Sequence, residues 1–395
     1  MPRTALPPIR FTNATVLRDG EMQKRSVGIA EGRFACGPFR EVDLAGYLVL
    51  PGIVDLHGDG FEKFVMPRRA VGFDPHVALT ATDAELAATG ITTAWLAQSW
   101  SWEGGKRSED ACEALSRAIA DHRPHARTDI RLQIRYETHR VETADRLLAL
   151  VEGMGHDYVV FNNHLDQGLR MIEGRPHAFA SWAAEANRTP EEHRAVIAKA
   201  LENDPLVHGS LVKLAEAFDR LGIRYGSHDD EDPQTRERFH ALGARICEFP
   251  TSREAASFAR DLGDPVLMGA PNVVRGGSQS GNVSAEELVA DGLVTALVSD
   301  YYYPAMALAA FRLADDGLLP FADAWALIST NAAEVMGLSD RGRVEPGLRA
   351  DCIIVNEETR MIEATIAGGD IAHMAGEAAH RLASALDGSH ALAAE

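Results

Sequence analysis

The sequence predicts a (β/α)8 barrel of the α/β class, flanked by a small β-sandwich built from both chain ends. Three observations carry this. From residue 51 onward, short apolar runs alternate with amphipathic stretches about eight times, the pattern of a parallel sheet covered by helices. The first 50 residues hold strands and turns with no helical period. After Gly337 the chain returns to turn-plus-strand composition, which supplies a partner for the N-terminal module.

The elements follow in order. Ile9 to Leu17 reads as a strand, Arg18-Asp19-Gly20 as a turn and Ser26 to Ala30 as a second strand, with Phe34 to Cys36 and Glu41 to Leu44 as two more. Barrel strands are expected at 52–57, 91–97, 130–137, 157–163, 222–228, 244–248, 265–269 and 294–299. Helices are expected near 80–89, 107–122, 143–153, 190–203, 209–221, 233–242, 252–261, 284–291, 304–315 and 321–336. Thr189 before Pro190 and Glu192 is a helix start signal, as is Thr251-Ser252-Arg253-Glu254, read as a capping box. Gly90, Gly222 and Gly243 stand where helices should stop. The expected organisation is a barrel over 51–341, a sandwich from 1–50 and 342–382, and an Ala-rich tail over 383–395. An open doubly wound sheet is the alternative. No G-x-G-x-x-G follows the first strand, which weakens its dinucleotide-binding form.

Composition narrows the function. A chain of 395 residues with a formal net charge of −19 lacks the basic face that nucleic acid or a membrane surface would need. No uninterrupted apolar stretch long enough to span a bilayer is present. The four cysteines have no paired spacing, so neither a zinc ribbon nor a disulfide scaffold is expected. No signal peptide is read at the N-terminus, and a reducing, cytoplasmic homo-oligomer is the expectation.

The stretch from Leu56 to Lys63 organises the chain. Its strand delivers His57 and Asp59 to one side, because side chains of an extended chain alternate. Barrel active sites lie at the C-terminal ends of strands. Metal-capable side chains at those positions are His57, Asp59, Glu137, His164, His228 and Asp300. Three imidazoles and three carboxylates can form two adjacent sites for divalent ions. In that arrangement Glu137 bridges, His57 and Asp59 hold one ion, and His164 and His228 hold the other. Asp300 then serves as ligand and general base beside a water whose pKa the ions lower. One or two ions are expected, zinc first, with manganese or iron as alternatives. Any one strand-end histidine is more often a satisfied side chain; the argument rests on six together.

A second motif runs from Gly269 to Asn282 and contains Val-Val-Arg-Gly-Gly-Ser. Its glycines let backbone N–H groups approach an anion, and Arg275 can grip a phosphate at two points. Asn272, Ser278 and Asn282 add neutral donors, while Lys63, Arg68 and Arg69 form a basic segment after the first strand. A Gly-rich surface loop is the plainer reading. The partner expected at this mouth is a small anionic phosphorylated substrate.

Together these residues resemble the amidohydrolase superfamily. The resemblance is carried by Pro51 to Asp59 with Glu62-Lys63 and Pro67-Arg68, by Ser227 to Asp230, by Gly269 to Ser278, and by Ser299-Asp300-Tyr301. Within the superfamily they are similar to the diphosphatases of phosphonate metabolism, which act on ribose 1-methylphosphonate 5-triphosphate. The resemblance implies a metal-dependent barrel with a flanking sandwich, a His-x-Asp first motif, and Glu137 where many relatives use a carboxylated lysine. The implied reaction is hydrolysis of a triphosphate ester with release of pyrophosphate. Attack on a C–N bond by the same site, as in a deaminase or cyclic amidase, is the alternative.

Overall fold

The computed structural model describes residues 6–68, 71–277 and 281–386. Arg69, Ser278 and the end of the expected tail lie outside the described residues. Eight parallel strands follow one another around a barrel: β1 (Ile53–Gly58), β2 (Ile91–Trp100), β3 (Asp129–Glu137), β4 (Tyr158–Asn162), β5 (Arg224–His228), β6 (Ile246–Glu248), β7 (Val266–Gly269) and β8 (Ala296–Val298). A parallel bridge between Gly58 and Asp300 closes the seam from β8 to β1.

Alternation divides each strand between two environments. Val54 and Leu56 of β1 pack with Trp95 of β2, Val160 of β4, Ile246 of β6 and Val298 of β8. Side chains from opposite strands meet in this cluster, so it fills the barrel. Leu96, Ile134, Phe161 and Tyr225 face outward and pack with residues of the surrounding helices, such as Leu115 and Phe218. Burial of each such side chain contributes about 1.5–3 kcal/mol. Helices stop where expected: Gly222 takes a left-handed conformation (φ 69°) after the helix Asp204–Leu221.

Residues from both chain ends share a second core. A six-stranded sheet runs in the order Asp370–Met374, Ile362–Ala367, Cys352–Asn356, Tyr47–Pro51, Thr15–Arg18, Glu21–Lys24. A four-stranded sheet runs Arg33–Ala35, Val27–Ala30, Ile9–Thr12, Arg40–Asp43. Phe11, Ile29 and Val42 of the smaller sheet pack with Val16, Val49 and Ile354 of the larger.

Four local expectations change. The strand expected over Ile9–Leu17 breaks at Asn13, whose φ of 60° turns the chain from one sheet into the other. Two unforeseen helices, Leu165–Gly174 and Pro176–Glu185, precede the expected one at Pro190–Leu201. They bury Leu165 and Phe179 in a separate core with Trp102 and Ile197, so their stability comes from that packing. The expected polar loop after β7 begins as a short helix, Ala270–Arg275, with Pro271 in its first turn and Gly276 (φ 77°) ending it. The helix expected over 321–336 divides into Phe321–Ala326 and Thr330–Val335. No described helix is long and apolar enough to cross a membrane.

The N-terminal end of β3 is held by charge. Asp129 meets Arg131 at 3.0 Å and Arg341 at 2.7 Å. Burial opposes its ionisation, but these guanidinium groups outweigh burial and bring its pKa down to about 2. A lowered folded-state pKa means stability that is present above the unfolded value near 3.8 and lost as pH falls towards 2. Asp129→Asn is therefore expected to cost about 2 kcal/mol at pH 7. In denaturant titrations the gap from wild type should close between pH 4 and pH 2; a constant gap would refute the assignment.

Candidate metal centre

The strand ends at one mouth of the barrel carry the candidate ligands. Glu137 and His228 are the last residues of β3 and β5. Asp59 follows β1, and His164 and Asp300 lie two residues beyond β4 and β8. His57 arrives by a local device. Between Asp55 and Gly58, three residues of β1 step against two of β2. This bulge lets Leu56 stay in the barrel core while His57 reaches the mouth beside Asp59.

The ligand atoms gather in three groups, each with its atoms within 4.8 Å of one another: His57 with Asp59 and Asp300; His57 with His228 and Glu248; and, sharing no residue with these two, Glu137 with His164 and Glu103. The partnering differs from expectation. His228 stacks on His57 at 5.6 Å between ring centroids instead of grouping with His164. Glu137 groups with His164 and Glu103, and among the described residues no group joins it to His57. It also ends the third strand of the barrel. Two participants went unforeseen. Glu248 ends β6 and Glu103 lies in the loop after β2; both are buried.

The chemistry of these atoms suits a cation. Glu137 Oε2 accepts from Trp102 Nε1 (3.2 Å) and from the His164 backbone N–H (3.0 Å). Its other oxygen stands 2.5 Å from His164 Nδ1, yet both atoms lack a hydrogen-bond partner. His57 Nδ1 is likewise orphaned, 3.0 Å from Glu248 Oε2. Ligands bound at about 2.0–2.2 Å to one ion stand roughly 3 Å apart without pointing at each other. Orphaned, buried and converging atoms fit that arrangement. Glu248 Oε1 is held by Gln133 Nε2 at 2.8 Å, and His228 Nδ1 donates to Oε2 at 2.8 Å, as carboxylates orient ligating imidazoles elsewhere.

Electrostatics agree. Burial disfavours protonation of His57, but Glu248 overcomes it and raises the pKa; Glu137 does the same for His164. Each carboxylate field thus invites a positive charge at the imidazole. His228 goes the other way, lowered by burial with Arg135 adding to it. Burial, then the neighbouring Asp59, lifts Asp300 to about 6. Glu103 sits near 2 despite burial, because Arg107 and His164 lower it.

Asp300 also closes the barrel. Its N–H donates to His57 O (2.9 Å) and its carbonyl accepts from the Asp59 N–H (2.8 Å). The price of that pairing is a left-handed φ of 54°, which aspartate tolerates better than most residues.

The expected anion contacts divide. Asn272 and Asp300 both flank Gly269: a Cβ placed there would lie 3.6 Å from Asp300 Oδ2 and 3.8 Å from Asn272 Nδ2. Arg275 is exposed and donates to the Tyr301 hydroxyl at 3.4 Å. Lys63 instead pairs with Glu85 at 2.6 Å and lies over the Tyr303 ring. Arg68 and Asn282 are exposed on loops. Cations that sequence reading passed over are Lys106, Arg107 and Arg135; Arg107 meets Glu103 at 2.9 Å and Lys106 meets Glu62 at 2.5 Å.

A match to the amidohydrolase family spans residues 77–373. The chain belongs to this family. It is 35% identical over 334 residues to alpha-D-ribose 1-methylphosphonate 5-triphosphate diphosphatase of Escherichia coli strain K12, covering 81% of this chain and 86% of that protein. Solved structures share the fold at lower identity. N-acetylglucosamine-6-phosphate deacetylase from Pasteurella multocida aligns over 92% of this amidohydrolase and 99% of that chain, with a TM-score of 0.62 at 9% identity. Dihydropyrimidinase from Brevibacillus agri aligns over 93% and 95%, with a TM-score of 0.59 at 13% identity.

Proposed function

We propose that this amidohydrolase is a metal-dependent diphosphatase of phosphonate metabolism. It hydrolyses a ribose 1-methylphosphonate 5-triphosphate-like ester and releases pyrophosphate. The observation that carries this reading is the 35% identity over 81% of the chain with the Escherichia coli diphosphatase. The converging strand-end ligands support it.

His57, Asp59, Asp300, Glu137, His164 and His228 would hold one or two divalent ions, zinc first among them and manganese or iron as alternatives. A bound ion supplies charge neutralisation and activation of water at neutral pH. The Asp300 carboxylate takes the proton of the attacking water. Asn272, which flanks Gly269 as Asp300 does, orients a phosphoryl oxygen. Lys63, Arg68, Arg275, Ser278 and Asn282 serve as donors to the outer phosphates.

Phosphorus NMR of the purified protein with ribose 1-methylphosphonate 5-triphosphate should show pyrophosphate appearing. Chelation should stop it, and zinc or manganese should restore it. Undiminished turnover after metal removal, or turnover confined to cyclic amides, would replace this reading with another.

A further inference from the structure

One buried cation at this mouth has no assigned role. Arg135 lies on β3 with Gln133 and Glu137, at the period-two spacing that gives all three the same face. Its side chain is 9% exposed. Nη2 is 3.1 Å from His228 Nε2 and Nη1 is 3.7 Å from Asp59 Oδ2. With the Asn162 amide turned to present its oxygen, that oxygen lies 3.2 Å from both Nη2 and Nε.

These partners compensate a guanidinium poorly. One is a single carboxylate oxygen beyond hydrogen-bond distance, and the others are neutral groups. Elsewhere in this chain a buried arginine is matched by carboxylates: Arg236 meets Asp230 at 3.1 Å and Asp264 at 3.4 Å. A planar cation carrying five N–H donors ordinarily takes a carboxylate or phosphate at two points. Arg135 also lies among the candidate ligands. Its charge acts on His57, His164, His228 and Asp300 alike. The other cations occupy the rim or are bound to Glu85, Glu62 and Glu103.

We propose that Arg135 is a catalytic residue whose guanidinium leaves His228 Nε2 to grip a non-bridging oxygen of the phosphoryl group under attack. This rests on the diphosphatase reading. The water oxygen bonds to the α-phosphorus, the α–β P–O bond breaks, and pyrophosphate departs with the electron pair. The water proton passes to Asp300, while Arg135 stabilises charge on the equatorial oxygens, as an arginine does in other phosphoryl transfers.

The test uses the ion-loaded full chain. Arg135→Gln should lower kcat for pyrophosphate release by about 10³-fold, with bound divalent ion and Tm unchanged. Millimolar guanidinium should restore part of the activity of Arg135→Ala and leave wild type unaffected. Calorimetric binding of inorganic tripolyphosphate should weaken at least about tenfold in Arg135→Gln, in line with loss of a charge-assisted pair. A kcat within threefold of wild type would overturn the inference and leave the diphosphatase reading standing. Loss of activity in step with bound metal or Tm would also overturn it, making Arg135 a structural cation. If the wild type releases no pyrophosphate, the diphosphatase reading fails by itself, and equal tripolyphosphate affinity of the two proteins then refutes the Arg135 contact as well.

Discussion

Asp300→Asn is expected to lower turnover by about 10³-fold while making the metal-free protein more stable. The two effects come from separate parts of the residue. Its backbone closes the seam, donating to His57 and accepting from Asp59, and asparagine tolerates a φ of 54° as aspartate does. The fold should therefore survive. The side chain is a partly buried carboxylate beside Asp59, and burial followed by that neighbour raises its pKa from 3.8 to about 6. A raised carboxylate pKa means that the folded state pays for ionisation. The metal-free wild type should gain stability as pH falls from about 7 through 6 towards 4. The amide removes that penalty, on the order of 3 kcal/mol at pH 7. It also removes the base, and general-base groups are worth about 10²–10⁴-fold. Paired measurements of kcat and of metal-free melting at pH 7 and pH 5 check both halves. An active variant would remove Asp300 from the chemistry, and a variant less stable than wild type at pH 7 would show that its charge is favourably held.

The fold was legible because it rests on local patterns. Short apolar runs alternating with amphipathic stretches located all eight barrel strands, and strand ends in a barrel face one mouth whatever the helices do. Applied consistently, the same rule would have chosen Glu248, the last residue of an expected strand, and the face it shares with Glu137 would have marked Arg135. What local pattern does not carry is which strand ends meet across the mouth. His228 lies against His57 because β5 and β1 approach there, a matter of barrel curvature. Glu103 and Trp102 come from a loop without periodicity, and their positions depend on the three-helix insertion that carries Trp182 and Arg188. Trp182 Nε1 donates to Glu103 at 2.7 Å, and Arg188 donates to the carbonyls of Trp102 and Glu103. Nor does local pattern announce that Lys63 pairs with Glu85, 22 residues away in sequence.

Arg236→Met is expected to be the most damaging single change outside the mouth, costing about 3–5 kcal/mol. Arg236 lies in the helix Pro233–Ala241 and is fully buried. Nη1 donates to Asp230 Oδ2 at 3.1 Å and to Ser227 Oγ at 2.8 Å. Nη2 donates to the Ala244 carbonyl, and Nε faces Asp264 at 3.4 Å. Asp230 is itself buried, and desolvation raises its pKa against the pull of Arg236. Methionine fills much of the volume but leaves buried Asp230 without its cation and Asp264 with only His240, 2.8 Å away, and that is where the cost arises. Arg236→Lys keeps the charge without the planar fork and should fall between. A double change, Arg236→Met with Asp230→Asn, should recover part of the loss, because it removes one stranded charge as well. The damage should also reach the metal centre. Ser227 precedes His228, and Asp230 follows it by two residues in the turn that leads into this helix. Denaturant titration of the three variants gives the stabilities, and chelator competition gives the divalent-ion affinity. Full stability in Arg236→Met would mean that the two carboxylates take up protons or water without cost. Lost stability with unchanged ion affinity would separate this cluster from the orientation of His228.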